Sequence, residues 1–257
     1  MENLIVIKVG GNTLNQLQPD FFRQLQSWLR QKKKILLLHG GGTKISELSQ
    51  KLKLAVHKAN GIRITDEKIL EVTRLVLLGN TQPQLLQQLA LHSLPALGLN
   101  AADQFLLQGD FLDKQRYGFV GKIKHVNFNL LEKILAKQIG VLAPLALTKS
   151  GQWLNVNGDS AAAEIAGLLK AEELYLLTDV PGVMSAGQVL PLLNQKKAAD
   201  LQKTNVITTG MQPKILAAFH AIETGVSQVK ITDHFYNSGT KIIQEGVNNN
   251  ELTFSNL

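Results

Sequence analysis

The chain has 257 residues, enough for one large α/β domain or two fused lobes, and no cysteine, which excludes disulfide stapling, thiol catalysis and cysteine-bound zinc. No apolar run approaches the roughly 18 residues a membrane span needs, so no membrane partner is expected. Lysine and arginine number 27 against 20 for aspartate and glutamate; the net charge of +7 suits anionic small molecules, whereas scattered basic residues and 5% aromatic content argue against nucleic acid.

Short β-rich runs alternate with segments of helical period, the pattern of an α/β fold with a largely parallel central sheet and helices on both faces. Leu4 to Val9 is the first strand; its apolar start lacks the basic flank of a secretory signal, so a cytoplasmic protein is expected. A helix over Phe21 to Leu29 follows, then a strand from Ile35 to Leu38 and a helix with Ile45, Leu48 and Leu52 on one face. A third amphipathic segment spans about Thr65 to Leu78, with Asp66 and Glu67 suited to its N-terminus. Between about Gly98 and Lys124, glycines punctuate short alternating stretches, which predicts hairpins. Strands are expected at Val141 to Leu147 and Leu174 to Thr178, flanking a helix that opens near Asp159. Pro213 suits the first turn of another helix, ending at Gly225, and Val229 to Thr232 reads as the final strand before an Asn-rich tail. The pattern is read as a single domain, residues 1–257, divided loosely near residue 150.

Several polar clusters sit at strand ends. Lys8-Val9-Gly10-Gly11 puts a lysine at the end of an apolar strand beside two glycines that let the backbone approach a ligand; alone, Lys8 could equally snorkel to solvent. His39-Gly40-Gly41-Gly42 lies between a strand and a helix, where amides and a helix N-terminus can face an anion. The same triplet can be a permissive turn, or the oxyanion loop of an esterase, but no Gly-x-Ser-x-Gly elbow accompanies it. Walker A and Rossmann fingerprints are also missing. His39 itself reads either as a core histidine with a satisfied ring or as a substrate contact.

Arg63 in Asn60-Gly61-Ile62-Arg63 precedes a helix, where a planar guanidinium can clamp a carboxylate or simply face solvent. Asn155-Val156-Asn157-Gly158-Asp159 crowds polar side chains at a strand-to-helix connection, with helix capping as the plain alternative. Thr178-Asp179-Val180-Pro181-Gly182-Val183 follows another strand. Thr208-Thr209-Gly210-Met211-Gln212-Pro213-Lys214 carries a lysine into a helix N-terminus, where it opposes the dipole and needs an anionic neighbour or ample solvent.

In this order and spacing the clusters resemble the amino acid kinase family, from Leu4 to about Ile242. Asn-Gly-x-Arg, Asn-x-Asn-x-Asp and Gly-Met-x-x-Lys point to its acetylglutamate branch. The resemblance implies a three-layer αβα sandwich that phosphorylates the side-chain carboxylate of N-acetyl-L-glutamate with ATP, a step of arginine biosynthesis. The substrate would occupy a lobe of about residues 1–150 and ATP the lobe of about 151–257. Lys8 and Lys214 would approach the transferred phosphoryl from opposite sides, with Asp159 holding both. Gly41, Gly42, Arg63 and Asn155 would bind substrate. Gly10, Gly11, Asp179, Val180, Gly182, Val183, Met184, Thr208, Gly210 and Met211 would bind nucleotide, and Mg2+ would be held mainly through nucleotide phosphates, with no protein metal site. Another carboxylate or carbamate kinase, or a catalytically silent regulator that binds ATP or an amino acid, are the alternatives. Lys122 departs from the family, many of whose members are acidic there. Arginine-inhibited relatives carry an extra N-terminal helix that assembles a hexamer; with a first strand at about Leu4, a homodimer without strong arginine feedback is expected.

Overall fold

The run Leu-Ile-Val-Ile-Lys-Val at Leu4–Val9 (β1) is buried on both faces, as an interior parallel strand must be. In the computed structural model, which describes residues 1–11, 14, 17–204, 206–207 and 211–244, it lies near the middle of an eight-stranded sheet. The chain continues through α1 (Pro19–Arg30), β2 (Lys34–His39), α2 (Gly42–Lys51), β3 (Lys58–Ala59), β4 (Ile62–Arg63), α3 (Glu67–Val76), a π-helical turn (Leu77–Thr81), α4 (Gln82–Leu91) and β5 (Ala96–Leu99). Next come β6 (Leu107–Phe111), α5 (Lys114–Tyr117), β7 (Gly121–Val126), α6 (Phe128–Leu135), β8 (Ile139–Leu142), β9 (Leu145–Leu147), β10 (Trp153–Asn155), α7 (Gly158–Leu168) and β11 (Glu173–Leu177). The last third holds β12 (Met184–Ser185), β13 (Gln188–Val189), β14 (Leu192–Leu193), α8 (Gln195–Lys203), α9 (Gln212–Glu223), β15 (Gln228–Thr232) and β16 (Thr240–Ile242).

The main sheet runs β14-β16-β15-β11-β1-β2-β8-β5, parallel throughout except between β15 and β16. Alternation along β1 feeds two cores. Leu4 and Val6 pack with residues of α3, α6, α7 and α9 on one face, while Ile5, Ile7 and Val9 pack with Phe21, Phe22, Leu25 and Trp28 of α1 and Leu85 and Leu89 of α4 on the other. Helices on both faces give the three αβα layers. A second sheet, β10-β9-β6-β7, joins the first of these cores through Leu107, Ile123, Leu145 and Leu154. Among the described residues no helix is long and apolar enough to cross a membrane.

Three expected elements differ. The strand expected over Val141 to Leu147 is split into β8 and β9, which belong to different sheets, with Pro144 in the break. The segment expected to end near Leu78 instead passes through the π-helical turn into α4, whose Pro83 lies in the first turn and is tolerated there. Val229 to Thr232 is not the final strand: β16 returns antiparallel to it. Residue 150 falls in the connection from β9 to β10, and the main sheet draws strands from both halves of the chain.

Candidate active site

From β1 the chain passes to β2 on one side of it, while β11 is added on the other, so the C-terminal ends of these strands form a crevice where the winding changes direction. A cleft of about 330 Å³ lies there. Its first walls are two glycine loops in backbone contact: a Cβ on Gly40 would stand 3.3 Å from the Gly11 amide nitrogen, and one on Gly11 would stand 3.4 Å from Gly41 Cα. Gly41 occupies the cap position of α2 with no side chain capping it, so the dipole and the first amides of α2 are directed at the cleft. Gly10, Gly11, Gly41 and Gly42 all line it.

Opposite, α7 is capped by Asn157, whose Oδ1 accepts from the amides of Asp159 and Ser160 at 3.0 and 3.1 Å. Helix capping is therefore the role of Asn157. It fixes Asp159 in the first turn, where the helix dipole favours an anion. Lys8 turns from β1 toward this turn rather than to solvent; its Nζ lies 3.0 Å from Asp159 Oδ1, and Lys214 Nζ lies 2.9 Å from the same oxygen. Lys214, in the first turn of α9 against the dipole, thus finds its anionic neighbour in Asp159. Gly158 permits the approach, since a Cβ there would meet Lys8 Cε at 3.3 Å.

Burial by itself would raise the Asp159 carboxyl, but the charges and hydrogen bonds of Lys8 and Lys214 outweigh it and hold the pKa at about 2. Burial, reinforced by the positive charge of Lys8, pushes Lys214 down to about 8, with Asp159 opposing. One carboxylate therefore faces two ammonium groups, and the excess positive charge sits at the floor of a cleft edged by amides. That arrangement attracts a polyanion.

Arg63 donates through Nη2 to Gly42 O and Ser46 Oγ, both at 2.9 Å, while its buried Nη1 has no hydrogen-bond partner. Half-burial lowers its pKa by desolvation. Asn155 Nδ2 donates to Thr65 Oγ1 at 3.0 Å, and Thr65 donates to Arg63 O at 2.9 Å, so one chain of bonds sets the positions of Arg63 and Asn155. Arg63, Asn155 and Asp179 line the same cleft as the two lysines.

Other nucleotide-site expectations stand apart from the cleft lining. Gly182 and Val183 are buried; the Val183 amide donates to Thr240 Oγ1 at 2.8 Å, and a Cβ on Gly182 would meet Val189 Cγ1 at 2.7 Å. Met184 begins the β12–β13 hairpin, Val180 is half-buried before it, and Met211 precedes α9 packed against the core. Thr208 and Gly210 lie outside the described residues. His39 is fully buried, but its ring is not satisfied: neither nitrogen has a hydrogen-bond partner, and burial pushes its pKa down to about 4, the Gly40 backbone opposing only in part.

Sequence reasoning missed Lys58, which lines the cleft from the hairpin of β3 and β4. The signal was present: Asn60 and Gly61 both have positive φ, 52° and 76°, as a two-residue Asn-Gly hairpin turn requires. The hairpin tip reaches across to α9, where a Cβ on Gly61 would lie 3.1 Å from Pro213 Cγ.

The model of the amino acid kinase family matches residues 3–233. A relative from Lactiplantibacillus plantarum, named acetylglutamate kinase, is 52% identical over 95% of this chain and 99% of its own. One of the same name from Listeria welshimeri is 45% identical, over 94% and 97%. The crystal structure of smu.665 from Streptococcus mutans superposes with a TM-score of 0.89 at 35% identity, covering 94% of this chain and 99% of that one. The chain belongs to the amino acid kinase family.

Proposed function

We propose that this protein is an acetylglutamate kinase, transferring the γ-phosphoryl group of ATP to the side-chain carboxylate of N-acetyl-L-glutamate. The observation that carries the reading is the bridging of Lys8 and Lys214 by a single oxygen of Asp159 in a cleft that also contains Arg63, Asn155 and both glycine loops. A glutamate side chain titrates near pH 4.3, so the nucleophile is already ionised at neutral pH and no general base is needed. One of its oxygens attacks the γ-phosphorus, the bond to the bridging oxygen of ADP breaks, and an acyl phosphate forms. The obstacle is repulsion between a carboxylate and a polyphosphate. Two ammonium groups and the amides of Gly11, Gly41 and Gly42 offset it and favour the spread charge of the transition state.

Arg63 takes the α-carboxylate, with Asn155 at the amide end. ATP extends over the end of β11 and the segment from Asp179 to Met184, beside Met211. Asp159 is committed to two lysines, and Mg2+ would be carried by the nucleotide phosphates. Bound that way, the ion would supply further charge neutralisation. Dependence on ATP fits a cytoplasmic setting. A homodimer is supported by the sheet edge: β5 ends the sheet, and Leu91 and Leu97 beside it are 70% and 41% exposed, an apolar edge suited to pairing with a second copy.

The test is to incubate the protein with MgATP and N-acetyl-L-glutamate and trap acyl phosphate with hydroxylamine, alongside Lys8→Ala, Lys214→Ala and unacetylated glutamate. Hydroxamate from the acetylated substrate alone, nearly abolished in both variants, is expected. ATP binding without acyl phosphate would overturn the assignment.

A further inference from the structure

A second cavity, of about 660 Å³, adjoins the cleft, and Ile62, Val120, Val156 and Asn157 line both. The four shared residues put the two cavities side by side, and three of them are apolar. Beyond this common wall it is bounded by Leu112 and Tyr117, from the segment between β6 and β7, and by Leu216 of α9. Part of its polar boundary is a side-chain trio: Lys122 Nζ and His220 Nε2 lie 3.3 and 3.2 Å from the same oxygen, Glu164 Oε1.

Resting on the reading of the cleft as an N-acylglutamate site, we propose that this annex receives the N-acyl group and admits linear acyl chains several carbons longer than acetyl. The charged and amide groups of such a substrate are met by Lys8, Arg63 and Asn155 in the polar cleft, which leaves the acyl substituent as its apolar part. The apolar space next to these groups is the annex. An acetyl methyl fills only a small fraction of it. Each further methylene removed from water there contributes at most about fourfold to kcat/KM, offset in part by the cost of ordering the longer chain. The gain stops where the chain meets the trio of Lys122, Glu164 and His220, because crowding an ion pair with hydrocarbon strips its hydration.

The experiment measures kcat/KM by ADP release for N-acetyl-, N-butyryl- and N-hexanoyl-L-glutamate, with the wild-type protein and with Leu216→Trp, which narrows the annex at a residue 68% exposed and so tolerant of substitution. The expected result is that N-butyryl- and N-hexanoyl-L-glutamate equal or exceed N-acetyl-L-glutamate, and that Leu216→Trp lowers the N-hexanoyl value at least tenfold more than the N-acetyl value. Good turnover of N-acetyl-L-glutamate with the longer acyl groups more than tenfold poorer overturns the annex proposal alone. An equal effect of Leu216→Trp on all three substrates also overturns it. If none of the three is phosphorylated, the kinase reading itself fails.

Discussion

Lys8 and Lys214, from opposite ends of the chain, share one acceptor: Asp159 Oδ1 lies 3.0 Å from the first ammonium and 2.9 Å from the second. Neither lysine could be held so deeply without it, since a buried cation lacking a partner is strongly unfavourable.

Asp159→Asn should therefore leave two facing cations with no counter-charge. A loss of about 3 kcal/mol of stability is expected at neutral pH, as for removal of one member of a buried ion pair, and kcat should fall by about a hundredfold or more as the lysines move apart. The folded pKa of about 2 lies below the ordinary 3.8. The wild-type contribution is thus complete above about pH 4 and is lost as pH falls through about 2. Thermal melts across that window should show a steep acid limb in the wild type and a shallower one in the variant.

Lys214 gives opposite slopes for activity and stability. Its pKa is pushed down to about 8, so the ammonium needed for transfer is lost as pH rises through that value, and kcat/KM should fall there. Between about 8 and the ordinary 10.5 the unfolded chain binds more protons than the folded one at this position, so its contribution to stability rises with pH. Lys214→Arg should remove the alkaline limb, because a guanidinium stays charged throughout, at a reduced absolute rate. A limb that persists unchanged in Lys214→Arg would show that another group titrates.

Arg63→Ala removes the partnerless Nη1 and the bonds of Nη2 to Gly42 and Ser46. A charge-assisted bond contributes about 1.5–3 kcal/mol, so KM for the acyl amino acid should rise by about ten- to a hundredfold. KM for ATP should stay near the wild-type value. Steady-state kinetics with each substrate varied separate the two, and a parallel rise in both would contradict the assignment of Arg63 to the acyl amino acid.

Gly158→Ala trades activity for stability. Alanine in a helical first turn is favoured over glycine by about 0.5–1 kcal/mol, but its Cβ would press on Lys8 Cε at 3.3 Å. Displacing Lys8 by a few tenths of an ångström should lower kcat by about three- to tenfold while Tm holds or rises slightly. Unchanged kcat would mean that the lysine tolerates the shift.

Much of this site was legible from local pattern. Asn157 before Gly158 and Asp159 announces a capped helix, Gly40 to Gly42 between a strand and a helix announces an anion-facing turn, and Asn60-Gly61 carries a hairpin signature whose neighbour Lys58 was passed over. The misreadings occurred where local pattern is silent about tertiary partners. The run from Val141 to Leu147 is uniformly apolar, and Pro144 divides it only because its two halves pair with different sheets. Thr240–Ile242 is too short to read as a strand without Gln228–Thr232 beside it.

The sequence by itself determined the αβα class, because its apolar periods switch between strand and helix, and it determined the family, because glycine, lysine and asparagine recur at set places in one order. Tertiary structure alone decided what the charges mean. Lys8 could have reached solvent, Lys214 opposed its own helix, and Asp159 could have been a simple cap; their common role rests on burial and on distances near 3 Å, and electrostatic energy depends on separation and dielectric surroundings rather than on position along a chain.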